Sequence, residues 1–192
     1  MTDPDPPPGK IALFSGHMID APGRETPRFP SDKAPIAARE IAKTLDDLAL
    51  AAADLAICGG ACGGDLLFAE AALARGARLE LFLPFDEPTF LEKSVDFAGA
   101  EWRKRYFAAK ARAVLHVAPS DLGPLREGED PYERNNEWML ASALRFGPDK
   151  VDFVCLWNGE GADGRGGTRH MMDAVRDQGG RTHWIDTTKL WT

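Results

Sequence analysis

The sequence predicts a doubly wound α/β domain, and three observations predict it. Short apolar runs rich in strand formers recur about six times along the 192 residues. Longer stretches of helical periodicity separate them, and glycine-rich junctions follow several of the runs. Strands that alternate with helices along a whole chain call for βαβ crossovers, hence a mostly parallel sheet with helices on both faces.

The strand runs fall at 11–14, 55–58, 79–83, 114–117, 151–157 and 182–185. Most are short and apolar throughout, as strands buried on both faces are. Helices are expected at 34–51, 65–75, 87–110 with a break near Gly99, 131–146 and 168–178. Gly76 and Gly147 follow their helices where C-cap glycines belong. Asp130-Pro131-Tyr132-Glu133 supplies an N-cap, a proline in the first turn and a glutamate at N3, so Asp130 and Glu133 are read as caps. Stretches 16–33 and 118–130 are rich in proline, glycine and charge and read as long loops after strands, where α/β proteins carry binding residues. There is no internal repeat and no linker. Residues 10–192 read as one Rossmann-like domain behind a flexible proline-rich tail at 1–9.

A hydrophobic fraction of 44% and a charged fraction of 28% belong to a globular chain. The net charge of -7 disfavours a nucleic acid polymer or an anionic membrane as partner, since both need a concentrated basic surface. A single phosphate is not excluded, because helix N-termini and backbone amides bind anions without charged side chains. No apolar run reaches the eighteen or so residues that span a bilayer. The acidic, proline-rich N-terminus does not read as a signal peptide, and three cysteines, Cys58, Cys62 and Cys155, make no even disulfide framework. A cytoplasmic protein is expected.

In open α/β sheets a ligand lies beyond the carboxyl ends of the strands. Three such junctions stand out. The first strand runs into Ser15-Gly16-His17, the second into Gly59-Gly60-Ala61-Cys62-Gly63-Gly64-Asp65, and the fifth into Asn158-Gly159 and then Gly166-Gly167-Thr168. Four glycines in seven positions read as a close approach of main chain to a phosphate-bearing ligand, the alternative being a tightly packed turn. The segment is neither the dinucleotide fingerprint nor a Walker loop. Asp65 and Thr168 are expected to cap their helices, and Asp65 also to reach a ribose hydroxyl. Arg134 and Asn135, in the first turn of their helix, are placed to reach an anion at the sheet edge. No zinc-type ligand set and no nucleophile elbow appear. The reading therefore calls for a nucleotide-type ligand, with no metal ion and no required cofactor.

The blocks FSGH, ICGGACGGDLLFAEAALARGARLELFLP, ERNNEWML and VDFVCLWNG leading to GGT resemble the SLOG superfamily, over about residues 10–186. That Rossmann-like group includes the LOG phosphoribohydrolases and the DNA-processing protein Smf/DprA, and SLOG-type domains occur in bacterial signalling proteins. The resemblance implies a pocket for a nucleotide or a nucleotide-derived signal, of the NAD or ADP-ribose type, and relatives that commonly pair as homodimers. It also implies an alternative, cleavage of nucleoside 5′-monophosphates between base and ribose. The LOG motif places a glutamate three residues after the threonine, where this chain has Met171, so only Asp65, Glu70 or Asp173 is left to substitute. A binding module is favoured over an enzyme, and a scaffolding domain whose glycines are only turns is the third reading.

Overall fold

The computed structural model describes residues 6–160 and 167–191. Six strands form one sheet: β1 (Ile11–Gly16), β2 (Leu55–Cys58), β3 (Arg78–Leu83), β4 (Ala113–Val117), β5 (Val151–Trp157) and β6 (Arg181–Asp186). All pairings are parallel, in the order β4-β3-β2-β1-β5-β6. The chain thus winds outward from β1 to β4, then returns to the other flank of β1. The order reverses between β1 and β5, where such sheets open a crevice.

Every strand connection is a crossover, and the helices divide between the two faces. On one face α1 (Ala34–Asp47), α2 (Gly64–Ala74), α3 (Glu87–Ser94) and α4 (Ala100–Lys110) pack on Ala12, Phe14, Ala56 and Cys58. On the other, α6 (Pro131–Leu144) and α7 (Thr168–Asp177) cover Ile11, Leu13, Ile57 and Phe153. The alternation along β1 follows from the period of two in a pleated strand, and both faces are dry. The sheet is doubly wound, as expected.

The differences from the expected elements are local. The stretch 118–130 contains a one-turn helix, α5 (Ala118–Asp121), because Pro119 fits a first turn and Asp121 accepts the Val117 amide hydrogen at 3.0 Å. A last short helix, α8 (Thr187–Leu190), follows β6. The loop at 16–33 is closed on itself. Asp20 Oδ2 accepts the Arg28 and Phe29 amides, each at 2.9 Å, and buried Phe29 stacks on Trp191 with ring centroids 5.5 Å apart. Asp130 caps α6 as expected, accepting from Tyr132 N and Glu133 N. The other two expected caps are corrected. Gly63 is the N-cap of α2, with Asp65 inside the first turn, and Gly167 is the N-cap of α7, with Thr168 as its first, buried residue.

Among the described residues no helix is long and apolar enough to cross a membrane. The three cysteines are free and buried. Burial pushes the Cys62 and Cys155 thiols up to about 12 and Cys58 well above its ordinary value, so none carries thiolate at neutral pH.

Candidate functional site

A cleft opens beyond the carboxyl ends of β1, β2 and β3, with the start of α6 as one wall and the 59–65 turn, α2 and α3 as the other. It encloses about 550 Å³, its open mouth included, and is lined by Phe14, Ser15, Gly16, Met18, Gly59, Ala61, Asp65, Pro84, Phe90, Tyr132, Asn135, Asn136 and Met139. Apolar walls with a few polar groups are the usual make-up of a small-molecule site.

One residue frames both walls. Ser94, the fully buried last residue of α3, accepts the Cys62 amide hydrogen on its carbonyl at 2.8 Å, and its hydroxyl meets Tyr132 Oη at 3.2 Å. The turn and the start of α6 are therefore held at a set separation. Phe85 packs edge-on to Tyr132, with ring centroids 5.3 Å apart.

The glycines of the turn have a packing explanation that the sequence could not supply. Gly63 and Met18 form an antiparallel bridge, in which Ile19 N donates to Cys62 O at 3.2 Å and Gly64 N donates to His17 O at 3.0 Å. At Gly63, where φ is +102°, a Cβ would fall 2.7 Å from Ile19 N and 2.9 Å from His17 O. At Gly64 it would fall 3.0 Å from the Phe14 ring. The chain after β1 crosses so close to Gly63 that a Cβ has no room there, and His17 O takes the Gly64 amide hydrogen.

Asp65 is the polar centre of this wall. Its Oδ2 accepts the Ala61 amide hydrogen at 3.1 Å, and burial outweighs that bond and pushes the carboxyl up to about 7. A group that exchanges a proton near neutral pH inside a cleft is a recurrent mark of a functional site. The turn thus contributes a carboxyl to the cleft beside Gly59 and Ala61.

The other polar group of note is Asn135 on α6. It is 4% exposed, its Nδ2 donates to Phe82 O at 2.9 Å, and its Oδ1 is buried with no hydrogen-bond partner among the described residues.

The expected site residues divide by place. Ser15, Gly16, Gly59, Asp65 and Asn135 line the cleft. Gly60, Gly63 and Gly64 shape the turn behind it. His17 points to the β1–β5 junction, its Nε2 lying 3.1 Å from Asn158 Oδ1 and 3.2 Å from Asn158 N, and burial lowers its pKa, which keeps the ring neutral at pH 7. Arg134 is turned to the loop before α6, donating to Gly123 O at 3.1 Å and Leu122 O at 2.8 Å. Gly159 packs against Trp184, and Gly159, Gly167 and Thr168 do not line the cleft. Gly166 lies outside the described residues. Of the alternative carboxylates, Glu70 pairs with Arg105 at 3.5 Å, and Asp173 borders a separate hollow with Trp157, Arg169, Met172, Arg176 and Trp184. Met171, in the place of the LOG glutamate, is fully buried.

Sequence reasoning did not single out Met18, Phe90, Tyr132, Asn136 or Met139 as site residues. The only signal for the last three was their spacing: positions 132, 135, 136 and 139 lie at i, i+3, i+4 and i+7 on one helix face.

No protein-family model and no curated protein matches the sequence. Among solved structures, the chain is similar to DNA processing protein A (DprA) from Streptococcus pneumoniae, with a TM-score of 0.41 and 14% sequence identity. The match covers 96% of this chain and 61% of that one, so this chain spans about three fifths of that protein's length.

Proposed function

We propose that the cleft beyond β1, β2 and β3 binds a nucleotide or a nucleotide-derived small molecule, and that the protein acts as a binding module. The observation that carries this reading is the pair of polar groups that line one apolar cleft, the half-buried Asp65 with a carboxyl pushed up to about 7 and the buried Asn135 amide. A scaffolding domain gives no reason to keep Asn135 there, since an unsatisfied buried acceptor costs about 1–3 kcal/mol. The cleft also lies beyond the carboxyl ends of parallel strands, the side on which such sheets bind their ligands. With a carboxyl inside, the phosphate of such a ligand belongs at the mouth and its ring system inside.

The test is a thermal-shift and calorimetry panel of AMP, ADP-ribose, NAD and cyclic nucleotides on the wild type and on Ala61→Trp, which fills the cleft from a half-buried position. At least one ligand stabilises the wild type and fails to stabilise the variant. No shift with any of them overturns the reading.

One observation favours a second reading, nucleotide N-glycosidase activity. A carboxyl with a pKa of about 7 can act as a general acid. Asp65 would protonate the departing base as the bond from ribose to base breaks, and water would add its hydroxyl to the sugar carbon and return its other proton to the Asp65 carboxylate. Incubation with nucleoside monophosphates and chromatography for free base decides it, and absence of base release sinks it.

A further inference from the structure

The cleft holds a carboxyl that nothing in its lining balances. Asp65 is half-buried there, and among the described residues that line the cleft there is no lysine, arginine or histidine. Its Oδ2 accepts the Ala61 amide hydrogen, whereas Oδ1 has no hydrogen-bond partner among the described residues and stays open to solvent. A carboxylate drawn out of water without a counter-ion is costly, so in the empty cleft this group tends to keep its proton. A positively charged ligand would supply the missing counter-ion.

The two lining side chains that leave most surface open belong to opposite walls. Met18, 37% exposed, is tied to the turn through its bridge to Gly63, and Tyr132, 39% exposed, stands in the first turn of α6. The Tyr132 ring is held in place by its hydroxyl on Ser94 and its edge contact with Phe85. An aromatic face attracts a cation, and a thioether packs favourably on flat rings. A flat, positively charged ring therefore suits both walls and the carboxyl between them.

We infer that the cleft selects a nucleotide whose ring carries a fixed positive charge, the pyridinium type, with the ring between Met18 and Tyr132 and its charge facing Asp65. The inference rests on the nucleotide reading above. The reduced, neutral form of the same ring leaves the carboxylate without a counter-ion. A nucleotide that lacks the ring gains neither the charge contact nor the contact with Tyr132.

Titration calorimetry on the full chain at about pH 8, where most of the Asp65 carboxyl is ionised, compares NAD+, NADH and ADP-ribose. The wild type binds NAD+ at least about tenfold more tightly than either of the others, and Asp65→Asn brings NAD+ and NADH within about threefold. A smaller preference, or no binding of NAD+ while another nucleotide binds, overturns the selection and leaves the nucleotide reading standing. A tenfold preference that survives in Asp65→Asn overturns the pairing of ring and carboxylate. No binding of these three or of the other nucleotides named above overturns both readings. The wild-type comparison needs no variant, so it decides even if Asp65→Asn fails to fold.

Discussion

Asp65 turns back on the turn that precedes its own helix, its Oδ2 accepting the Ala61 amide hydrogen at 3.1 Å. That single bond does not offset burial, so the folded protein holds a proton on this carboxyl that the unfolded chain gives up near pH 4. The contribution of a raised carboxyl to stability is full below the unfolded value and is lost as pH rises through about 7. Urea denaturation between about pH 5 and 8 is expected to show the wild type losing stability relative to Asp65→Asn, by about 1–3 kcal/mol at the top of the range. Parallel profiles for the two proteins would place the carboxyl at an ordinary pKa.

Gly63→Ala is expected to cost about 2–4 kcal/mol, because it combines a left-handed backbone with a Cβ against main-chain atoms that cannot swing away. Gly99→Ala is the control. Gly99 has a similar φ of +105°, but nothing lies within 4 Å of an added Cβ, so about 1–2 kcal/mol is expected there. Equal denaturation midpoints for the two variants would remove the close approach of residues 17–19 as the reason for the glycine.

Arg134→Ala is expected to loosen the loop before α6 and leave ligand affinity within about twofold, since the guanidinium holds the carbonyls of Leu122 and Gly123. Limited trypsinolysis should cut faster after Arg126 in the variant. A large loss of ligand affinity with unchanged cleavage would return Arg134 to the site.

Asp152, fully buried in β5, receives Arg181 through Nε and Nη2 and His183 through Nε2, each at 2.8 Å. Burial alone would raise its pKa, but the bonds from His183 and Arg181 prevail and hold it at about 2. Its stabilisation is present above the unfolded value near 4 and lost as pH falls through about 2. Arg181→Ala removes two of the three donors and should cost about 3 kcal/mol at pH 7 by urea denaturation. The deficit should narrow only below about pH 4. A deficit that is constant down to pH 2 would assign the loss to packing alone.

Local chemistry was enough to read most of the fold. The apolar runs at 55–58 and 151–157 are β2 and β5 to the residue, and Asp130 caps α6, because strand burial and capping depend on neighbours a few positions apart. The sequence also placed Ser15, Gly16, Gly59, Asp65 and Asn135 near one sheet edge, since residues after parallel strands must emerge at the same edge. Why Gly63 and Gly64 stand in the 59–65 turn became visible only in the tertiary structure. Their spacing reads as a close approach to a phosphate, with a tightly packed turn as the alternative, and it is the passage of residues 17–19, more than forty positions away, that takes up the space at Gly63 and the Gly64 amide. The same holds for Asp65 and Asn135. Burial sets the proton of one and Phe82 sets the orientation of the other, and both depend on contacts between elements distant in the chain.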